Sequence, residues 1–434
     1  MEIFSVTPEE FQSNWKPKFF VIFAGQALSL FGSGLVQFAL VWYLTQQTGS
    51  ATILATATLV AMLPQIFLGP FVGALVDRWN RRLMMIAADG AIALATLVLA
   101  GLFWAGWVQV WHIYVILLIR SLGGTFHWPA MSASTALMVP KEHLARVAGM
   151  QQTLHGLVSM VAPPTGAVLL GLMTTQGVLA IDVVTAVFAI LPLVWIAIPQ
   201  PVRLQEEQGG QRTSYWQDLK EGFTYVAAWP GLLGILVMAV LINFLLTPTS
   251  SLMPLLVTKH FGLGALELGL TDTLWGVGMI AGGALLGVWG GFRRRIVTTL
   301  LGIIGIGIGI VMTGLAPANL FWLALVGMAV AGLMGPIANG PLHAILQATV
   351  RPEMQGRVMS LINSAAIAMT PLSLAVAGPV SDAVGIRTWY VFGGVFCLLM
   401  GVAAFFVPAI MNVENNHSST PTLEPSVPTA SVLD

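Results

Sequence analysis

The stretch Gly73-Ala-Leu-Val-Asp77-Arg78-Trp79-Asn80-Arg81-Arg82 joins two long apolar runs and carries four charges within six residues. Charged residues make up only 8% of the chain, so this density needs a structural reason. A bilayer core takes roughly 20 residues of apolar helix to cross. Apolar sequence of about that length lies on either side. The stretch therefore predicts a tight turn between two membrane-spanning helices, with its three arginines on the cytoplasmic surface.

The composition indicates a polytopic membrane protein. Apolar residues make up 56% of the chain, and its charged fraction is far below the quarter or so that soluble domains carry. The formal net charge is zero, which gives no basic surface of the kind that binds nucleic acid. Cys397 is the single cysteine. It excludes a disulfide framework or a thiolate metal cluster, and we interpret it as a packing residue.

Twelve apolar segments follow one another along the sequence. They span residues 18–44, 52–76, 82–106, 110–138, 147–173, 178–198, 231–257, 266–290, 297–315, 319–346, 358–383 and 387–409. The first is too long for a cleaved signal peptide and is expected to remain as a helix. The fold class predicted is an all-α membrane protein with two six-helix bundles.

The basic residues predict the orientation of these helices. The two tails and the even-numbered loops hold fifteen of the eighteen lysines and arginines. Lys259 and Arg387 fall in odd-numbered loops, and Arg120 lies within the fourth segment. Because cytoplasmic loops carry the excess of Lys and Arg, both termini are predicted to be cytoplasmic.

The polarity of the chain divides it into five parts. Residues 1–17 form a cytoplasmic tail, 18–198 the first bundle, 199–230 a cytoplasmic linker, 231–410 the second bundle, and 411–434 a tail rich in Ser, Thr and Pro that is expected to be disordered. Within the linker, residues 215–223 can form an amphipathic helix with Trp216, Leu219 and Phe223 on its apolar side. A plain solvated loop is the alternative.

The two halves of the chain resemble each other. Val139–Val147 recurs as Val350–Val358 at an offset of 211 residues. The charged turn has a shortened counterpart at Gly287–Arg295, which keeps the arginines and lacks the aspartate. A duplicated six-helix unit in parallel orientation is the architecture of a large class of secondary transporters, whose bundles rock about a midplane site.

Twelve helices, this repeat and the charged turn together resemble the major facilitator superfamily over nearly the whole chain. The signature of that family between helices two and three reads Gly-x-x-x-Asp-Arg-x-Gly-Arg-Arg/Lys, and the chain matches it at Gly73, Asp77, Arg78, Arg81 and Arg82. Asn80 replaces the family's glycine, and asparagine tolerates the left-handed backbone that a glycine would supply.

The resemblance implies that this motif is a conformational latch. Asp77 would reach the positive N-terminus of a helix in the other half, and the neighbouring arginines would hold it there in one conformational state. The alternative is a purely topological role, in which the arginines only keep the loop in the cytoplasm.

Helix five carries a second motif, a degraded form of the Gly-Pro-x-x-Gly-Gly pattern seen in antiporters. Pro163, Pro164 and Gly166 remain, while alanines at positions 162 and 167 replace glycines. Together with sequence around Gln26–Ser33, it resembles the drug:proton antiporter branch that contains macrolide efflux pumps and the enterobactin exporter.

Ionisable residues at membrane depth are expensive and are candidates for function. Asp89 lies at a depth at which it could pair with Arg120. Either the two form a structural pair, or one of them couples protons or substrate. Asp272 is a third candidate, as a proton carrier or as a counter-charge for a cationic drug. For Asp182, near the outer end of helix six, we expect a structural role.

Polar residues at helical spacing predict a cavity between the bundles. Such side chains must face water or other helices in hydrocarbon. The cavity-lining candidates are Gln26, Ser33, Gln37, His127, Met131, His155, Asn243 and Asn339. Hydrogen bonding between helices is the alternative for any one of these stripes.

The sequence thus predicts a secondary active transporter in the cell membrane, a proton-coupled exporter of lipophilic small molecules or drugs. A dedicated exporter of a metabolite, siderophore or lipid is the alternative function, and sodium the alternative coupling ion. The predicted partners are a small-molecule substrate, protons and the lipid bilayer, without nucleic acid, and the chain is expected to be a monomer. No P-loop, zinc-protease or nucleophile-elbow motif is present, which argues against an ATPase or an enzyme and for a chain without cofactor or metal.

Overall fold

The computed structural model describes residues 11–12, 14–200 and 215–414. The predictions for most of the N-terminal tail, for the linker before Tyr215 and for most of the C-terminal tail lie outside the described residues. Helices account for nearly all of the described part, and no strand occurs in it.

The helices follow one another with short turns. Those of the first half are α1 Trp15–Thr48, α2 Ala51–Arg78, α3 Arg81–Ala105, α4 Val110–Met138, α5 Leu144–Leu172 and α6 Thr175–Trp195. Next comes α7 Tyr215–Ala227, and the second half holds α8 Pro230–Leu255, α9 Ala265–Trp289, α10 Arg295–Leu315, α11 Phe321–Thr349, α12 Pro352–Val384, α13 Ile386–Ala404 and the short α14 Pro408–Met411. A 3₁₀ turn, Lys141–His143, precedes α5, and a π turn, Leu256–His260, extends α8.

Each of the twelve predicted membrane segments is a helix. Within the described part, eleven helices are long and apolar enough to cross a membrane. The twelfth, α4, has 29 residues and includes His112, Arg120 and His127, which lower its hydropathy. Arg120 and His127 are candidates for function inside the membrane, so the residues that lower the hydropathy of α4 include two that the sequence singles out.

Large apolar side chains on the outer surface of the bundles face the space that lipid occupies. Val288 is 91% exposed and Trp104 is 85% exposed. Trp107 and Trp195, at opposite ends of their bundle, are exposed as well, at the level where amphipathic rings meet the membrane–water interface.

Inside the second bundle, α10 packs so closely on α11 that a Cβ at Gly309 would lie 2.5 Å from the carbonyl oxygen of Gly327. Small residues permit such contacts in lipid.

The charged turn has a different backbone from the one expected. Asn80 has φ −69° and ψ 110°, and its side chain accepts a hydrogen bond from the Leu83 amide at 3.1 Å. The expectation of a left-handed residue at this position is therefore wrong. Asparagine replaces the family's glycine here as the N-cap of α3, where its side chain satisfies one of the free amides of the first turn.

The amphipathic segment of the linker is a helix, α7, which packs on the start of α12. The Glu221 carboxylate lies 2.6 Å from Nη1 of Arg357, and Val226 is buried while Phe223 is half exposed. The placement predicted for Trp216 and Leu219 concerns side chains outside the described residues. The exact boundaries of the five predicted parts stay a prediction.

Candidate functional site

A cavity of about 300 Å³ lies in the cytoplasmic half of the first bundle, between α1, α3, α4 and α5. Six residues that the sequence singled out line it: Gln26, Ser33, Asp89, His127, Met131 and His155. Ser29, on the same face of α1 as Gln26 and Ser33, lines it as well, whereas the sequence did not indicate Ile92, Gln151 and Leu154 as lining residues. Gln151 and His155 are four residues apart on α5, and this spacing was the available signal.

Asp89 is the carboxylate of this cavity. It is 6% exposed, and its Oδ2 accepts a hydrogen bond from Gln26 Nε2 at 3.1 Å. His127 Nε2 lies 3.4 Å from Asp89 Oδ1, yet the geometry is not that of a hydrogen bond, and this buried nitrogen has no hydrogen-bond partner among the described residues. The Asp89 carboxylate therefore accepts a hydrogen bond from Gln26 and has the His127 imidazole nearby. A small movement would let it accept a hydrogen bond from His127 instead.

Part of the cavity wall is aromatic and apolar. The rings of Trp128 and His155 meet edge to face, with centroids 4.4 Å apart. Met131 and Leu154 complete this side, and methionine adapts to ligands of varied shape. One acidic group beside an apolar surface can hold a lipophilic molecule that carries a single polar or cationic group.

Within the described residues, no group of three or more His, Cys, Asp or Glu side chains could hold a metal ion.

Arg120 pairs with Asp182 and not with Asp89, so the predicted Asp89–Arg120 pairing is wrong. Arg120 Nη1 lies 2.5 Å from Asp182 Oδ2, and the two side chains are 8% and 1% exposed. Thr96 Oγ1 donates to the same oxygen at 3.1 Å, and Ser33 Oγ donates to Asp182 Oδ1 at 3.1 Å. This ion pair joins α1, α3, α4 and α6, which matches the structural role expected of Asp182.

Depth counted from the correct membrane face explains the pairing. Arg120 lies ten residues from the outer start of α4, and Asp182 seven residues from the outer start of α6. At a rise of about 1.5 Å per residue, their depths below the outer face differ by only about 5 Å. Asp89 is eight residues from the cytoplasmic start of α3, and so it lies on the other side of the midplane.

Close packing of α1 on α6 places the Asp182 carboxylate. A Cβ at Gly32 would lie 2.2 Å from Thr185 Oγ1 and 3.2 Å from the Cα of Asp182. We therefore expect Gly32→Ala to push the helices apart and to lower the stability by about 1–3 kcal/mol, the usual range for overpacking. Thermal unfolding in detergent measures this loss. The matched control is Gly101→Ala, where a Cβ meets nothing within 4 Å, and equal melting of the two variants would contradict the packing described.

Two arginines of the charged turn bind helix ends within their own bundle. Arg81 is 6% exposed and donates from Nη1 to the carbonyl oxygen of Ala133 at 2.9 Å. Arg82 donates to the carbonyl oxygens of Leu193 and Val194. Leu193 and Val194 lie in the last turn of α6, where carbonyls lack helical partners and a positive charge is favourable, and Ala133 lies in the last two turns of α4.

The other motif residues have different surroundings. Gly73 and Arg78 are exposed, and the side chain of Asp77 is outside the described residues. Nothing therefore tests the latch, which stays a prediction.

Four other candidates lie away from this cavity. Gln37 is exposed, and Asn243 and Asn339 donate to carbonyl oxygens of their own helices, at 2.9 Å and 3.0 Å. Asp272 on α9 is half-buried and makes no hydrogen bond or ion pair within the described part of the chain. None of the four lines the cavity of the first bundle.

The helix-five motif lies where the two bundles touch. A Cβ at Gly269 of α9 would lie 2.7 Å from the Cα of Pro164, and Thr273 Oγ1 lies 3.4 Å from the carbonyl oxygen of Met160. Within the first bundle, Gly166 leaves room for Phe38, whose ring would lie 3.0 Å from an added Cβ. Gly269 could not be identified from the sequence, because a glycine that lets another helix approach closely resembles any other glycine in a membrane helix.

A second contact between the bundles lies at the outer ends of α2 and α12. The Asp382 carboxylate accepts four hydrogen bonds from the N-terminus of α2: Ser50 Oγ at 2.9 Å, the Ala51 amide at 2.8 Å, the Thr52 amide at 3.0 Å and Thr52 Oγ1 at 2.7 Å. A carboxylate is favoured there both by the free amides and by the helix dipole. This outer contact was not foreseen, because Asp382 lies at the end of its apolar segment and reads as a loop residue.

Comparisons with known proteins agree with this architecture. The Major Facilitator Superfamily model matches residues 22–256 and 246–430. Macrolide efflux protein A of Streptococcus pyogenes is 33% identical over 402 residues, covering 93% of this chain and 98% of the relative. Multidrug efflux pump Tap of Mycobacterium bovis is 26% identical over 422 residues, covering 93% of this chain and 96% of the relative.

A solved structure shows the same fold. The bacterial homologue of the human lysosomal transporter Spinster, crystallised in an inward-facing and unoccupied conformation, superposes with a TM-score of 0.69 at 13% identity, over 92% of this chain and 97% of that one. The chain therefore belongs to the major facilitator superfamily. It is a multi-pass transporter of the cell membrane that carries small-molecule substrates, and not an enzyme.

Proposed function

We propose that this transporter exports lipophilic small molecules, macrolide-like drugs among them, in exchange for protons. The observation that carries the proposal is the cavity, in which the Asp89 carboxylate faces an aromatic and methionine-containing wall. A relative named as a macrolide efflux protein matches almost the whole chain, which supports the substrate class. Sodium is the alternative coupling ion.

Asp89 is the group that we assign to proton coupling. Its carboxylate lies in the cavity wall, whereas the Asp182 carboxylate is buried in an ion pair with Arg120. One proton crossing about 100 mV supplies about 2.3 kcal/mol, enough for a roughly 50-fold gradient of a neutral substrate. A single titrating carboxylate therefore suffices for export.

The proposal includes alternating access. The outer halves of the bundles meet at Asp382 and at Gly269, while the cavity lies in the cytoplasmic half. This arrangement supports a state that is closed to the outside and accessible from the cytoplasm. In the opposite state, Asp77 would form the cytoplasmic latch that the family resemblance implies.

Replacing Asp382 should open the outer face. Asp382→Ala removes the acceptor of four hydrogen bonds, and bonds to charged groups contribute about 1.5–3 kcal/mol each. We expect the population open to the outside to rise at least about tenfold. Spin labels at Gln47 and Thr388, introduced after Cys397→Ala, measure the outer distance by pulsed electron resonance.

The matched control for that measurement is Glu267→Gln. Its carboxylate accepts a hydrogen bond from the Gly264 amide at 2.9 Å within α9 and its own turn, so it does not join the bundles. An outer distance that stays unchanged in Asp382→Ala, or changes equally in both variants, contradicts the proposed outer contact.

A drug-susceptibility panel tests the function itself. In a host that lacks its own pumps, the wild type should protect against macrolides and other lipophilic drugs, and a protonophore should abolish their export. Asp77→Asn should reduce protection if the motif is a latch. Wild-type protein that protects against no lipophilic drug would refute the proposal and favour a dedicated exporter of a metabolite, siderophore or lipid.

A further inference from the structure

Two basic residues break the charge asymmetry of the chain, and the structure brings them together. Lys259 and Arg387 are the basic residues of the outer loops, 128 positions apart in the sequence. Both line one crevice of about 990 Å³ at the outer ends of α8, α12 and α13. Since charge statistics disfavour Lys and Arg on this face, their convergence indicates a ligand with negative charge.

Arg387 is held in place at the head of this crevice. Its Nε donates to the carbonyl oxygen of Gly314 at 2.9 Å, and its Nη2 lies 3.4 Å from the carbonyl oxygen of Leu315. Both carbonyls lie at the C-terminal end of α10. His260 Nε2 lies 2.8 Å from the carbonyl oxygen of Ala316. Lys259 and Arg387 are exposed, so both cationic groups can reach a ligand, and the Arg387 side chain does so from a held position.

The inner wall of the crevice supplies an unused hydroxyl. Ser381 is 3% exposed and lines the crevice, and no group in the described part of the chain makes a hydrogen bond with its Oγ. A buried hydroxyl without a partner is costly, and a ligand oxygen in the crevice would satisfy it. Asp382 also lines the crevice, but its carboxylate already accepts four hydrogen bonds from α2.

Farther from the outer end, where Lys259, Arg387 and Ser381 lie, the wall of the crevice is apolar. Val391, Phe392, Val395, Phe396 and Leu399 line it along one face of α13. Phe392 is 56% and Leu399 57% exposed. From Arg387 to Leu399 the helix rises about 18 Å, which exceeds one half of a hydrocarbon core of about 30 Å.

We propose that this crevice binds an anionic phospholipid of the outer leaflet. Its phosphate lies between Lys259 and Arg387 and accepts a hydrogen bond from Ser381, and an acyl chain follows the face of α13. A small water-soluble anion would leave the apolar wall uncovered. The cationic headgroup of a zwitterionic lipid would lie beside two basic side chains. This site is separate from the drug cavity and does not depend on the proposed transport reaction.

Native mass spectrometry and thermal unfolding of the purified protein test this site with phosphatidylglycerol, phosphatidylcholine and inorganic phosphate. We expect phosphatidylglycerol to remain bound and to raise the melting temperature more than phosphatidylcholine. Each basic residue near a charged membrane surface contributes about fivefold in affinity. Lys259→Gln should therefore weaken phosphatidylglycerol binding about fivefold.

Arg293→Gln is the matched control, since it removes one exposed positive charge on the cytoplasmic face. Phe396→Ala should weaken lipid binding because it removes a contact with the acyl chain. It should leave the basic residues Lys259 and Arg387 in place. Equal binding of phosphatidylglycerol by Lys259→Gln and Arg293→Gln overturns the proposal. Stabilisation by inorganic phosphate equal to that by phosphatidylglycerol also overturns it, because it would show an anion site without a lipid.

Discussion

Replacing Arg120 by glutamine will lower the free energy of unfolding by about 3–5 kcal/mol, the usual cost of removing one partner of a buried ion pair. The loss arises because the Asp182 carboxylate, 1% exposed, loses its ion-pair partner, and the other side-chain donors to it within the described residues are the hydroxyls of Thr96 and Ser33. Asp182→Asn should be comparably damaging, since it leaves the guanidinium without its anion. Denaturation in detergent, followed by tryptophan fluorescence, measures both losses.

The paired replacement separates structure from transport. Arg120→Met combined with Asp182→Leu removes both charges at similar volume, and such exchanges are often neutral or stabilising. We expect this double variant to regain most of the lost stability and to retain drug export. Arg78→Gln, at an exposed arginine of the same bundle, is the control and should unfold like the wild type. A stable double variant that has lost export would show that the ion pair takes part in coupling.

Replacing Asp89 by asparagine will strongly reduce drug export and leave the fold intact. Asparagine has nearly the same volume and can still accept the hydrogen bond from Gln26, so the stability should change little. It cannot release a proton or balance a cation, so we expect export to fall by about 100-fold, the lower range for loss of a group in proton transfer. Accumulation of a radiolabelled macrolide in pump-deficient cells measures the change.

Glu267→Gln is the matched control for that loss, because its carboxylate lies at the outer N-terminus of α9 and away from the cavity. It should export like the wild type. Full export by Asp89→Asn would remove Asp89 from the coupling mechanism. Asp272, which has no ion pair or hydrogen bond within the described residues, would then be the next carboxylate to replace.

The sequence predicted the helices well because their signals are local. A bilayer core demands about 20 apolar residues for each crossing, so the segments around the charged turn could be delimited without any partner. The same holds for the spacing of Gln26 and Ser33 on α1 and of His127 and Met131 on α4, which placed all four on the cavity side.

Pairings between helices could not be derived in this way. Asp89 and Arg120 were matched by approximate depth, but Arg120 belongs with Asp182 on the outer side of the midplane. The contacts of Asp382 and of Gly269 depend on which helices meet between the bundles. Hydropathy carries no such information, because any apolar face suits either lipid or another helix.

The proposed exchange of protons for drug at Asp89 can be tested by measuring proton movement in inside-out membrane vesicles. With the lumen acidified by respiration, a macrolide added outside should enter through the wild-type protein and release lumenal protons, seen as recovery of a pH-sensitive dye. We expect this recovery for the wild type and for the Arg120→Met/Asp182→Leu double variant, and none for Asp89→Asn. Equal recovery in Asp89→Asn and the wild type would contradict it.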